Sequence, residues 1–194
     1  MMNADPTVMR FLLSRRSHPV RLLSTPAPDR ATVTELLTAA ARVPDHGKLE
    51  PWRFIVMQGA ASAGIARVVA ARGAQLGLAV EACNKAADHF AKSPLMVVVV
   101  ASPKASEKIP EYEQTLSVGA VCLSLVNAAL ASGWGACWLT GWAATDPEVQ
   151  AALGLASHEW VAGFIHIGTR TTTPPERPRP EIAALTEWRD SPAV

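Results

Sequence analysis

Apolar residues at Val33, Leu36, Leu37, Ala40 and Ala41 recur at the i, i+3, i+4, i+7, i+8 spacing of a helix with one buried face. Pro44 ends that helix, because a proline pushes the residue before it out of the α region. Pro51-Trp52 reopens an extended segment, residues 53–58, whose Phe54-Ile-Val-Met57 core is strand-like. Residues 60–92, rich in alanine, read as two helices broken around Gly73-Ala-Gln-Leu-Gly77. Leu95-Met-Val-Val-Val-Val-Ala101 is the continuous run expected of a strand covered on both faces. A polar loop over 102–110 leads into a helix over 111–132 that is apolar almost all round. Such a helix needs cover on every side, and a second subunit is a candidate for part of it. Gly133-Trp-Gly-Ala-Cys-Trp-Leu-Thr-Gly141 reads as a short strand entered through glycines. Asp146-Pro147 opens a short helix ending at Gly154, and residues 160–168 form the last strong strand. At the front, Asp5-Pro6 is an N-cap and N1 pair for a short helix through Val8, Met9, Leu12 and Leu13. At the back, residues 170–180 are proline-rich and basic, a composition that lies extended over a surface or another chain. A short helix is expected over 181–188.

The 194 residues carry a formal net charge of +1, which argues against a nucleic-acid partner because such proteins show a basic stripe. No repeat or linker divides the chain, so residues 1–194 read as a single domain with a proline-rich extension from about residue 170. The start, Met1-Met-Asn-Ala-Asp-Pro-Thr7, lacks the basic and apolar regions of a secretory signal. The longest apolar stretch, 116–131, is shorter than the roughly 20 residues that cross a bilayer. Cys83, Cys122 and Cys137 have neither CxxC nor metal-like spacing and read as small core residues in a reducing cytoplasm. His18, His46, His89, His158 and His166 show no ligand spacing, so no metal is expected. GxGxxG after a strand, Walker A, HExxH and GxSxG are all absent.

Two short segments carry candidate chemistry. The loop between the first strong helix and strand displays Asp45, His46, Lys48, Glu50 and Trp52 between rigid neighbours, where binding groups tend to sit. Taken alone, it reads first as a solvated connector with ordinary polar residues. Arg15-Arg16-Ser17 offers two planar, permanently charged forks and a hydroxyl, the groups a phosphate monoester needs. Taken alone, it reads first as a basic helix end complementing the macrodipole. Spacing therefore yields a mixed α/β domain with a candidate anion site and a candidate pocket.

Four pieces in order add more than any one of them. Arg15-Arg16-Ser17 is followed one helix later by Pro44-Asp45-His46 and Pro51-Trp52; then come the apolar helix entering Gly133-Trp-Gly-Ala-Cys-Trp138 and the closing Val161-Ala-Gly-Phe-Ile-His-Ile-Gly168. This order resembles the nitroreductase-like family of FMN-dependent oxidoreductases, in its compact branch. The resemblance implies an α+β fold with a central mixed or antiparallel sheet flanked by helices, built as an intertwined homodimer with FMN at the subunit interface. It implies that Arg15, Arg16 and Ser17 hold the FMN phosphate, ribityl chain and ring edge, and that Arg42 and His46 approach the flavin from the partner chain. Trp138, Leu139 and Thr140 match the strand beside the flavin. Ala128, Ala129, Leu130, Ala131, Ser132 and Gly133 match a stretch assigned to NADH or NADPH. Arg170, Arg177 and Arg179 are candidates for a further phosphate contact, but an exposed tail arginine is more often merely solvated, and they stay outside the expected site.

The implied activity is ping-pong hydride transfer from NAD(P)H to nitroaromatic or quinone-like acceptors. It needs no protein-borne catalytic group, since the cofactor carries the reactivity; His46 is a candidate proton donor. Two departures bear on substrate. Glu50 replaces the family's Gln before Pro-Trp, and an ionised carboxylate cannot donate a hydrogen bond; near the substrate it would discourage anions. Gly47-Lys48 also differs from the usual small hydroxyl-and-amide pattern. Two alternatives stay open: a flavoenzyme of the same scaffold with other chemistry, by dehydrogenation or reductive cleavage, and a non-catalytic FMN-binding or interaction dimer.

Overall fold

The computed structural model describes residues 5–192; residues 1–4, which belong to the start that lacks the composition of a secretory signal, and residues 193–194 lie outside them. Asp5 caps α1 (Pro6–Ser14), its Oδ1 accepting from the Thr7 N–H at 2.8 Å. A two-residue strand β1 (Leu23–Ser24) and α2 (Arg30–Ala40) follow, with Asp29 capping α2 through Thr32 N–H at 2.8 Å. Next come β2 (Trp52–Met57), α3 (Ala60–Gln75), α4 (Val80–Ala91) and β3 (Leu95–Ala101). The chain continues through α5 (Glu111–Ala131), β4 (Gly135–Leu139), α6 (Pro147–Ala152), β5 (Trp160–Arg170) and a four-residue α7 (Ile182–Leu185).

All pairings among the five strands are antiparallel. The order β1-β5-β3-β2 places β3 inside the sheet, and β4 pairs with β5. Every residue of β3 is buried, and its alternation divides the interior in two. Leu95, Val97, Val99 and Ala101 meet Val33, Leu36 and Ala40 of α2 and Val121, Cys122 and Leu125 of α5. Met96, Val98 and Val100 meet Ile65 and Val69 of α3, Phe90 of α4 and Val149 of α6. Fully burying each Val, Leu, Ile, Met or Phe side chain among them contributes about 1.5–3 kcal/mol. Helices on both faces explain why β3 reads as an unbroken apolar run although its neighbours are antiparallel.

β5 is not a regular ladder. Val99 pairs with Gly163 but Val100 pairs with Val161, so Ala162 is an extra residue, a β-bulge. The Ala162 carbonyl accepts instead from the Trp138 indole Nε1 at 3.1 Å. Trp138 lies directly over Gly163, where an added Cβ would fall 2.6 Å from the indole Cδ1.

One expectation narrows. Residues 181–188 form only α7, with its side chains exposed. The apolar residues of α1 are not a buried stripe: Val8, Met9, Leu12 and Leu13 are all exposed. The apolar helix α5 spans 21 residues, long enough by composition to cross a membrane, yet it is packed on α2 and the sheet as a core helix. Tyr112, Leu116 and Leu123 nonetheless remain exposed on it.

Candidate functional site

Arg15 ends α1, its N–H bonded to the Phe11 carbonyl at 2.8 Å. Three residues on, the His18 N–H donates to the Ala136 carbonyl of β4 at 2.8 Å. That bond fastens the Arg15-Arg16-Ser17 turn to the sheet's edge. The Ala136 carbonyl therefore points away from β5, and by the alternation of antiparallel strands the Trp138 N–H and C=O point the same way. These are open edge groups.

Between this turn and the β4 edge lies a cleft of about 520 Å³, lined by Arg15, Arg16, Ser17, Arg21, Trp138 and Leu139. Pro174, Pro175, Arg177 and Arg179 of the tail close its remaining side. Five arginines and no carboxylate line it. In a chain with a net charge of +1, that concentration is a local feature.

The arginines are only partly neutralised. Arg15 Nη2 donates to Ser17 Oγ at 3.0 Å, while its Nε is buried without a partner. Arg16 Nη1 donates to the Pro175 carbonyl and to Glu176 Oε1, the latter at 3.2 Å. Arg179 Nη2 reaches the same Glu176 oxygen at 2.9 Å. Burial, with Arg179 and Arg16 beside it, lowers the pKa of Arg15, and hydrogen bonding to the Arg177 amide, aided by the two arginines, lowers that of Glu176. An arginine keeps its charge even so. The result is crowded positive charge, an orphaned donor and a single carboxylate counter-ion, which together suit a phosphate monoester.

The structure brings together Arg15, Arg16, Ser17, Trp138 and Leu139, residues more than a hundred positions apart. Thr140 lines an adjoining cleft that also includes Trp138 and Leu139. Arg177 and Arg179, left out of the expected site, belong to the cleft; Arg170 does not line it. Sequence offered one signal for the tail, its paired arginines among prolines, but nothing that fixed where the tail lies.

Arg42 and His46 are not in this cleft. His46 is exposed and its Nδ1 lies 2.8 Å from Glu113 Oε2 on α5. Their loop is held from within: Asp45 Oδ1 and Oδ2 accept from Leu49 N–H at 3.2 Å and Glu50 N–H at 2.9 Å. Gly47, Lys48 and Glu50 all have positive φ, and Ile109 fills the space a Cβ on Gly47 would need. Asp45 is thus a brace, not a displayed ligand, and Trp52 packs against the α2–α5 core. Glu50 lines none of the described clefts that include Trp138.

The stretch Ala128, Ala129, Leu130, Ala131, Ser132 and Gly133 is the end of α5 and its turn. Ala129 is in the core, whereas Ala131, Ser132 and Gly133 are exposed. None of the six lines the arginine cleft. The cysteines are buried, and burial pushes the thiols of Cys122 and Cys137 up to about 12. No cluster able to hold a metal is present among the described residues.

Residues 12–169 match the nitroreductase family as a whole. The chain belongs to that family. It is 31% identical over 161 residues to YdjA of Escherichia coli (strain K12), a protein named provisionally as an NAD(P)H nitroreductase, covering 83% of this chain and 87% of YdjA. A Haemophilus influenzae protein with the same provisional name is 31% identical over 162 residues, with the same coverage. Among solved structures, a nitroreductase-like family protein from Bacillus cereus superposes with a TM-score of 0.81 at 21% identity, covering 98% of this chain and 100% of its own. A variant of the FMN and NADPH-dependent nitroreductase NfnB from Sphigopyxis sp. strain HMH gives 0.72 at 21%, covering 94% and 98%. The α+β nitroreductase fold and membership of this oxidoreductase family are thus established, and the sheet expected as mixed or antiparallel is antiparallel throughout.

Proposed function

We propose that this nitroreductase-family protein is an FMN-dependent NAD(P)H oxidoreductase acting on nitroaromatic or quinone-like acceptors. The observation that carries the reading is the convergence of Arg15, Arg16, Ser17, Arg177 and Arg179 on one cleft beside an open strand edge. The arginine forks and Ser17 would hold the phosphate, and the unpartnered Arg15 Nε would gain an acceptor. The Trp138 N–H and C=O, with Thr140 beyond them, would meet the polar edge of the ring. When bound, FMN supplies the two-electron chemistry, taking hydride from NADH or NADPH and delivering it to the acceptor. The protein's own part is to bind, orient and set the charge around that group. Arginine density at the cleft would favour the electron-rich, anionic form of any ligand there.

Arg42 and His46 would act on the cofactor of a second copy, as the homodimer reading requires. The exposed apolar residues Leu12, Leu13, Leu116 and Leu123 support a partner surface. His46, bound to Glu113 and exposed, would then be the proton donor. Ala131, Ser132 and Gly133 are the accessible part of the segment proposed for the nicotinamide nucleotide.

Anaerobic addition of NADH or NADPH to the FMN-loaded protein should bleach the visible flavin absorbance, and a nitroaromatic should restore it. Initial-rate plots with varied donor and acceptor should give parallel lines. Flavin that neither nucleotide bleaches would leave storage of FMN, and not turnover, as the protein's role.

A further inference from the structure

A second cleft, of about 470 Å³, adjoins the arginine cleft along the β4 edge, where Trp138 and Leu139 line both. Its walls are Ala82, Ala86, Phe90 and Trp142, and its size lies within the range of small-molecule sites, roughly 300–1,000 Å³. Phe90 is buried in the floor, locked edge-to-face on Phe164 with ring centroids 4.9 Å apart. Such walls suit a flat aromatic molecule. Polar groups are few. The Trp142 indole N–H is buried without a partner, a donor whose desolvation is not offset. Lys85 and His89, one turn apart on α4, stand at the rim.

Lys85 decides the chemistry. It is exposed and forms no ion pair among the described residues, whereas the nearby acid Asp88 is taken by Lys92 at 2.6 Å. Glu81 lines a neighbouring cleft with Lys85 but is not within ion-pair distance of it. Burial and the adjacent Lys85 lower the pKa of His89, so the imidazole is neutral at pH 7 and Lys85 carries the rim's charge.

We propose that this cleft, whose β4-side wall at Trp138 and Thr140 would meet the flavin ring, receives the aromatic acceptor of the reaction on its α4 side and that Lys85 selects acceptors bearing an anionic substituent, such as an aromatic carboxylate. The proposal rests on the oxidoreductase reading above and names its substrate class.

Benzoate and its neutral isostere benzamide, neither of which is reduced, test the cleft directly by calorimetry on the protein as purified, with its flavin. Benzoate should bind about fivefold more tightly than benzamide, the upper end for an exposed ion pair. Lys85→Ala should abolish that preference, and Lys85→Arg should keep it. Both substitutions suit an exposed helix position, so the fold is retained. With 4-nitrobenzoate and 4-nitrobenzamide as acceptors, the same variants should shift KM for the carboxylate alone. Equal binding of the two ligands, or a preference that survives Lys85→Ala, overturns the proposal. Benzoate failing to bind while FMN binds normally defeats the cleft and leaves the flavin reading standing; benzoate selectivity without FMN binding defeats the flavin reading instead, and with it the acceptor role of the cleft.

Discussion

Glu176 is where single-residue chemistry is most informative. Its carboxylate is shared by Arg16 and Arg179 at the mouth of the arginine cleft, where it stands as their own counter-ion. A phosphate entering the cleft competes with it. Glu176→Gln should therefore raise the affinity for FMN and for inorganic phosphate severalfold, measured by calorimetry at low ionic strength; the gain should shrink as salt rises. An unchanged or weakened affinity would mean that the tail carboxylate orders the arginines instead of opposing the ligand. Another residue, Gly163, makes room for Trp138. Gly163→Ala drives a methyl into the indole, which must leave its seat and lose the hydrogen bond to Ala162. A cost of about 1–3 kcal/mol in urea unfolding, with a red-shifted tryptophan emission, is expected.

Elements differ in how plainly the sequence announced them. The α2 stripe, the β3 run and the α5 helix were legible because burial on one face, on both faces, or nearly all round leaves a period that composition cannot hide. β1 was not legible: two residues carry no period, and its place on β5 is fixed by register with Thr169 and Arg170. Arg15-Arg16-Ser17 and Trp138-Leu139 were legible separately, through the resemblance, and the bond from His18 to Ala136 is what joins them. The tail contacts were not legible, because a loop more than 150 residues downstream of Arg16 has no local pattern that says where it docks. β5 also carries a pH dependence. His166 is buried with Nδ1 2.9 Å from Ser93 Oγ, and because that hydroxyl donates to the Leu95 carbonyl, the imidazole donates to it. Burial, then His89, pulls its pKa down to about 3, while an unfolded histidine titrates near 6.5. The unfolded chain therefore binds the proton first, so stability is fully present above about pH 6.5 and is lost as pH falls toward 3. Glu159, held near 2 by Arg53, adds a second loss below its ordinary value of 4.5. Thermal melts should fall progressively from pH 6.5 to 4.5, and His166→Gln should make that limb shallower while leaving the lower one; His18 and His89, whose pKa values burial also lowers, supply the rest of it. A melt temperature independent of pH across that upper range would contradict the buried neutral histidine.

At the scale of the whole molecule, two features ask for a second copy. The α1 face of Val8, Met9, Leu12 and Leu13 and the α5 residues Tyr112, Leu116 and Leu123 lie exposed, and Arg42 and His46 stand apart from the arginine cleft. Light scattering should report a dimer, and Leu13→Glu should weaken it; a monomer at micromolar concentration would leave Arg42 and His46 without a role at the cofactor. The reading as a whole depends on phosphate recognition by Arg15 and Arg16. Calorimetric titration of the flavin-free protein with FMN and with riboflavin, which lacks only the phosphate, measures that recognition directly. FMN should bind far more tightly, and Arg16→Ala should cut the difference by roughly 10- to 100-fold, the equivalent of about 1.5–3 kcal/mol for a charged hydrogen bond. Equal affinities for the two flavins, or a difference that Arg16→Ala leaves untouched, would contradict it.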